Sequence, residues 1–394
     1  MGREHWDVVI VGGAVTGSST AWWLLRTDPA LRVLVVEKDP TYARAATALS
    51  VASIRQQFSN PVNVEISRFG IDFIRNFSRH VGPAGGVASL GLRENGYLFL
   101  SGTEAGAALM EDLAAMQRGL GAATEVLGVE TLRKRFPWMR FDDVVAGSLG
   151  ARDEGWFDNM GLLNGLRNAA RGLGAVYRTG EVTNVVREGD RITGVTLAEG
   201  DDLGAGAVLC AAGTGAPALC RMVGADLPVE PRKRTVFVID APNARHPDAP
   251  LLIDHTGFYL RPEHNHWITA TVPDDDRVCD LDDWEPDAGQ FEETIWERLY
   301  GRAEGFDAAK VMRLWVGHYD YNLLDQNAVL GLWPGLSNFY VAAGFSGHGL
   351  QQAPAVGRGL SELILTGGYR TLDLSPLGPD RIARGVPMLE KAIV

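Results

Sequence analysis

One run constrains this chain more than any other: DVVIVGGAVTG at residues 7–17, with Glu37 twenty positions after Gly17. Consecutive β-formers end in a glycine turn, and an apolar helix pattern follows through Ala21, Trp22, Trp23, Leu24 and Leu25. A second apolar run, 33–36, stops at Glu37. Strand, turn, helix and strand in that order make the unit that holds an ADP moiety. The turn lets backbone N–H groups and the positive helix end approach a pyrophosphate. The strand-end carboxylate meets a ribose hydroxyl. The cofactor-facing candidates are Gly12, Gly13, Ala14, Val15, Thr16, Gly17, Glu37 and Lys38. Ala14 occupies the third fingerprint position, where glycine is usual because backbone passes close to phosphate. It departs by one methyl, which Gly13 beside it can absorb.

Bulk properties exclude several classes. At 394 residues the chain has room for two or three domain-sized cores. A net charge of −12 argues against a nucleic-acid partner. No run approaches the length of a membrane span, and the first strand starts too early for a signal peptide to be expected. Cys210, Cys220 and Cys279 are scattered. They suit neither a disulfide framework nor a zinc site, so a reducing compartment and no metal are expected. The expected location is cytoplasmic, with peripheral membrane association left open.

The texture changes along the chain. An apolar stripe of Val64, Phe69, Phe73, Ile74 and Phe77 predicts a helix over 63–79. Further helices are expected over 104–120, 161–172 and 356–365, the last capped by Gly367 and Gly368. Residues 96–100 and 207–211 read as strands, and 176–178, 181–187 and 191–197 as a small β-meander. Over 232–321, strands such as 235–240, 258–261 and 267–272 alternate with polar turns, the pattern of a mostly antiparallel sheet. The acidic stretch 274–283 reads as a solvated loop. His255, His264 and His266 fit no metal spacing and read as polar surface. An apolar strand returns at 339–343, followed by GFSGHG at 344–349. The expected fold class is α/β (α+β). A Rossmann-like nucleotide-binding domain would be assembled from 1–82, 145–230 and 327–394. A mostly antiparallel substrate domain, 83–144 and 231–326, would be inserted into it.

Six ordered segments carry a family resemblance: VGGAVTG (11–17) with Glu37, RQQF (55–58), DEGWFD (153–158), AAG (211–213), FYLRP (258–262) and GFSGHG (344–349). Together they resemble the D-amino-acid oxidase superfamily of flavoproteins, in the branch of sarcosine oxidase and dimethylglycine dehydrogenase. Within it the chain looks most like FAD-dependent oxidoreductase domain proteins associated with respiratory complex I assembly. The resemblance implies FAD, held in a Rossmann-like domain of glutathione-reductase type. It places Ala212 and Gly213 by the ADP half and Val182 by the adenine. Arg44, Ala45, Ser50 and Val51 would line the pyrophosphate and flavin. Gly344, Ser346, Gly347, His348, Gly349, Leu350 and Gln351 would lie at the ring. A loop poor in side chains lets backbone N–H groups and a helix end reach the negative edge of reduced flavin. Relatives with covalent flavin use a Cys near 317–319 or a His within 41–60. Neither residue is present, so FAD is expected to be non-covalent.

The implied reaction is oxidation of the C–N bond of an amino acid or a secondary or N-methyl amine. Hydride would pass to flavin N5 and the imine would hydrolyse. A substrate carboxylate calls for Arg, whose planar fork makes two hydrogen bonds. Arg55 is the first candidate anchor and Arg261 the second. Tyr259 can close over the substrate, and His348 can tune or bind it. Gln351 stands where sarcosine oxidases place a Lys, which disfavours sarcosine itself. No Lys occurs around 266–268, where oxidases keep one near the flavin. The acceptor is oxygen, a quinone or a carrier protein, with the dehydrogenase form favoured. The alternative is an FAD-binding assembly or interaction flavoprotein with little turnover of its own.

Overall fold

A computed structural model describes residues 4–391. Its first sheet runs, in space, Val329–Leu332, Phe339–Ala343, Asp202–Cys210, Glu4–Val11, Val33–Glu37 and Val176–Thr179. All neighbours are parallel except the first pair. Both faces of this sheet are covered, which is why its strands read as unbroken apolar runs. Val8, Ile10, Val33, Val35 and Leu209 feed one core with helices Val15–Thr27, Asn159–Gly172 and Gly349–Thr366. Val9, Val11, Leu34, Val36 and Cys210 feed the other. Cys210 is a small, fully buried core residue, as its strand position suggests.

The second sheet runs Lys310–Asn322, Val229–Asp240, His266–Thr271, Phe258–Glu263, Leu251–Ile253, Tyr97–Ser101, Ala146–Gly150 and Thr124–Gly128. Its pairs are antiparallel except Leu251–Ile253 with Tyr97–Ser101. Strand alternation divides its side chains. Leu98, Leu100, Phe237, Leu252, Phe258 and Trp267 enter a core of their own. Tyr97, Phe99, Val236, Tyr259, Ile268 and Trp315 lie on the opposite face. That face meets the segment after the first helix–strand unit: Trp315 Nε1 donates to the Leu49 carbonyl at 2.9 Å.

Three expectations need correction. Val176–Thr179 is the parallel edge strand of the first sheet, beside Val33–Glu37, and not part of a meander. Only Val182–Glu188 and Arg191–Leu197 form the hairpin, which hangs on Asp202–Cys210. Ala146–Gly150 pairs in the second sheet, although the expected boundary at 145 assigned it to the nucleotide unit. The 63–79 helix is broken at Asn76 into Pro61–Arg75 and Phe77–Val81.

A buried ion pair ties down the C-terminal segment. Asp325 is fully buried and takes Arg381 through Nε (2.7 Å) and Nη2 (3.1 Å). Its oxygens also receive the Asn327 and Met388 N–H groups. Removing one member leaves the other charge buried without its counter-ion. Arg381→Ala should therefore cost about 3–5 kcal/mol of stability, read from the urea midpoint. An unchanged midpoint would show that the pair is not needed.

Candidate functional site

Strands Glu4–Val11, Val33–Glu37 and Asp202–Cys210 end side by side, and the first group of candidates collects there. Gly12 has φ +104°, and a Cβ on it would fall 2.2 Å from the Ala211 carbonyl oxygen. The same approach brings Ala212 and Gly213 to the turn. Gly17 is tighter still: its Cβ would sit 1.9 Å from the Gly12 oxygen. Helix Val15–Thr27 has no side-chain cap at Ala14 and no acidic residue in its first turn. Its positive end is thus open to an anion. Glu37 accepts from the N–H groups of Gly13 (2.7 Å) and Asp39 (2.9 Å), fixing the turn to the strand end. Gly180 N–H donates to the Glu37 carbonyl, bringing Val182 to the same edge. Sequence reasoning missed Thr47, whose hydroxyl receives the Val15 N–H at 3.4 Å. Lys38 and Arg44 are exposed, and the Arg44 guanidinium lies over Trp284 at 5.2 Å. Ala45 and Ser50 bracket the short helix Ala46–Leu49. The glycine cradle, uncapped helix end and strand-end carboxylate fit the ADP half of FAD.

The second group is the loop after Phe339–Ala343. Gly344, Ser346 and Gly347 all have positive φ, at +72°, +50° and +91°. Buried Asp320, which the sequence did not flag, organises it. Its carboxylate accepts from the Gly344 N–H at 2.8 Å and from Phe345, and its carbonyl accepts from Ser346 at 3.1 Å. Burial pushes the Asp320 carboxyl up to about 6, against the opposing effect of those bonds. Glycine is required at 347, where a Cβ would lie 2.6 Å from the Tyr319 ring. Helix Gly349–Thr366 opens on His348 with no side-chain cap, so its positive end faces this loop.

Arg55 is the centre of the third group. It is 2% exposed, and its Nη2 lies 2.9 Å from His348 Nε2. Burial, and then the Arg55 charge, lowers the His348 pKa to about 3. A neutral His348 accepts from the guanidinium. Gln351 Oε1 accepts the Arg55 backbone N–H at 2.9 Å. His348 and Gln351 therefore position Arg55. The guanidinium carbon lies 4.5 Å from the Phe58 ring centre, 5.1 Å from Phe99 and 5.7 Å from Tyr97. Arg261 is committed elsewhere. Its Nε donates to the Val51 carbonyl at 3.1 Å, and its Nη1 donates to the Glu263 carboxylate. It ties the flavin-side segment to the sheet, and Glu263 matches its charge.

Tyr259 shares its sheet face with Tyr97 and Tyr319, two residues the sequence reading left out. Burial raises the pKa of all three phenols, so they stay protonated. Tyr319 lies two residues from Gly317 on the same strand face, and a Cβ on Gly317 would lie 3.4 Å from Leu49. His318 points the other way and stacks on Trp284 at 4.1 Å. The acidic stretch is also more than a solvated loop. Asp276 takes both Nη atoms of Arg234 at 2.7 and 2.8 Å, and Asp283 takes Lys233 at 2.6 Å.

Behind Arg55 lies Glu154, also missed although it stands inside the quoted DEGWFD segment. It is 1% exposed and accepts from Gln56 N–H at 2.7 Å and Gln57 Nε2 at 2.8 Å. Burial pushes its pKa up from 4.5 to about 7. The folded chain thus keeps a proton that the unfolded chain releases near 4.5. This contribution to stability is complete below that pH and lost as pH rises to about 7. Between pH of about 5 and 8, wild type should lose more stability than Glu154→Gln in urea titrations. Equal losses would contradict the assignment.

With the geometry in place, comparisons with known proteins decide the family. A family model described as FAD-dependent oxidoreductase (DAO) matches residues 7–363. The chain belongs to that family. It is 40% identical to FAD-dependent oxidoreductase domain-containing protein 1 of Xenopus laevis, over 99% of this chain and 85% of the relative. Sarcosine oxidase subunit beta of Rhizobium meliloti is 23% identical, over 99% and 91%. Among solved structures, L-proline dehydrogenase from P. horikoshii aligns with a TM-score of 0.85 at 25% identity, covering 97% of this chain and 99% of the other. This DAO-family oxidoreductase is therefore an FAD-dependent flavoprotein with amino-acid oxidase relatives. Among the described residues no helix is long and apolar enough to cross a membrane.

Proposed function

We propose that this DAO-family protein oxidises the C–N bond of an amino acid or an N-substituted amino acid. The observation that carries the reading is Arg55, a buried guanidinium packed on Tyr97 and Phe99 of the second sheet and beside His348 of the glycine loop. A buried cation that donates to His348, on a backbone fixed by Gln351 and between aromatic rings, suits a carboxylate. Bound FAD supplies the two-electron hydride acceptor for the substrate carbon. The chain's own residues orient that carbon and keep water out. Arg55 would hold the carboxylate, and the protonated Tyr97, Tyr259 and Tyr319 would donate to it. No side-chain base is required: the nitrogen lone pair forms the C=N bond, the amine proton goes to water, and water then hydrolyses the imine.

The cofactor in this reading is non-covalent, because Gly317 offers no side chain toward Leu49 and His318 faces away. FAD recovered intact in the supernatant after acid precipitation is the expected result; flavin retained in the pellet would contradict it. The lack of Lys around 266–268 supports a quinone or carrier protein over oxygen as acceptor. The domain division remains part of the proposal, with Ala146–Gly150 now on the substrate side. The interaction-factor alternative gains no observation of its own, since a scaffold has no use for a buried arginine packed against Phe58, Phe99 and Tyr97. Anaerobic mixing with N-methyl, L- and D-amino acids tests the reading through bleaching of the flavin absorbance.

A further inference from the structure

The sheet face that presents Tyr97 and Phe99 continues past Arg55 into a second space. A cavity of about 380 Å³ lies between strand Tyr97–Ser101 and helix Glu104–Gly119. Its lining begins at Gln57, two residues after Arg55, and at Phe99. The same Phe99 ring lies 5.1 Å from the Arg55 guanidinium. One aromatic ring therefore separates the chamber from the carboxylate anchor. Leu109, Met110 and Leu113 of the helix form its apolar wall. Gln117 lines it too, and its orientation is set because Nε2 donates to the Phe58 carbonyl at 2.9 Å. Gln117 is 3% exposed, yet its Oε1 meets no donor among the described residues. A buried acceptor left unpaired is costly, so it marks a place where a ligand donor belongs.

We infer that the chamber takes the arm of the substrate. The preferred molecule has a carboxylate for Arg55 and a long, mainly apolar substituent that passes Phe99 and ends in an O–H or N–H group for Gln117. This rests on the Arg55 reading above and deepens it. Allowing about 30 Å³ for each water-sized group, the volume holds roughly a dozen. That is far more than an N-methyl group or a glycine-sized substrate would fill.

The test uses FAD-loaded protein and carboxylates that lack an amine, so that no turnover occurs. Dissociation constants of acetate, hexanoate and 6-hydroxyhexanoate are measured by calorimetry, in wild type, Arg55→Ala and Leu113→Trp. Each buried methylene is worth roughly fourfold in affinity, so hexanoate should bind about 10²-fold more tightly than acetate. The hydroxyl should hold or improve that affinity, whereas in a wholly apolar chamber it would weaken binding. Leu113→Trp fills the space and should erase the hexanoate advantage while leaving acetate unchanged. Met110→Trp serves as a second filling variant should Leu113→Trp lose its FAD. Acetate binding that depends on Arg55, with hexanoate no tighter or filling variants without effect, would overturn the chamber and spare the anchor. Binding independent of Arg55 throughout would overturn both.

Discussion

Arg55→Ala should retain FAD and lose turnover. Truncating one partner of a buried, hydrogen-bonded charge pair costs about 2–5 kcal/mol. At about 1.4 kcal/mol per tenfold, the expected loss in kcat/KM is roughly 30-fold to 4,000-fold. Arg55→Lys should recover part of it, because a point charge remains but the two-pronged geometry is gone. The flavin spectrum and FAD content should stay unchanged in both variants, since His348 and the glycine loop keep their backbone bonds to Phe345 and Asp320. Loss of FAD in Arg55→Ala would move the residue from the substrate to the cofactor. Unchanged kcat/KM would remove it from the reaction.

Gly17→Val should abolish FAD retention. The added Cβ would meet the Gly12 carbonyl at 1.9 Å, a backbone atom that cannot yield without opening the turn. The opened turn would move the first N–H groups of helix Val15–Thr27 away from the pyrophosphate position. Protein purified from this variant should be colourless and carry less than about one-tenth of the wild-type FAD, a deficit of more than about 1.4 kcal/mol. Ala14→Gly is the matched control. Ala14 sits at the helix cap with extended backbone, φ −67° and ψ −167°, which alanine adopts without strain. Its FAD content should match wild type. Full FAD occupancy in Gly17→Val would refute the assignment of this turn to the cofactor.

How legible the molecule was depends on how local each signal is. The Gly-rich unit could be read because strand, turn, helix and carboxylate lie within 37 residues and each element is set by near neighbours. The glycine loop at 344–349 could be read for the same reason. Arg55 was found through its segment, but its setting was not, because His348 and Gln351 come from almost 300 residues away. Arg261 was the second candidate in sequence. Glu263, two residues along the same strand, takes its charge, and the fold brings the Val51 carbonyl to its Nε. Tyr97 and Tyr319 were missed because they lie on strands at separate positions in the second sheet, and no linear spacing relates them. Asp320 and Glu154 were missed because a buried carboxylate that holds backbone N–H groups leaves no composition or periodicity signal. The misplacement of Val176–Thr179 followed from proximity: it precedes a real hairpin in sequence, yet its partner is Val33–Glu37.

The central claim is that this chain oxidises a carboxylate-bearing amine held by Arg55. Its most direct test is anaerobic flavin reduction by a panel of N-methyl, L- and D-amino acids, run side by side on wild type and Arg55→Ala. The account predicts that at least one member bleaches the flavin of wild type, and that the same compound at the same concentration reduces Arg55→Ala roughly 10²-fold more slowly. Fully loaded wild-type protein whose flavin no member of the panel reduces, or equal reduction in the two proteins, would contradict it.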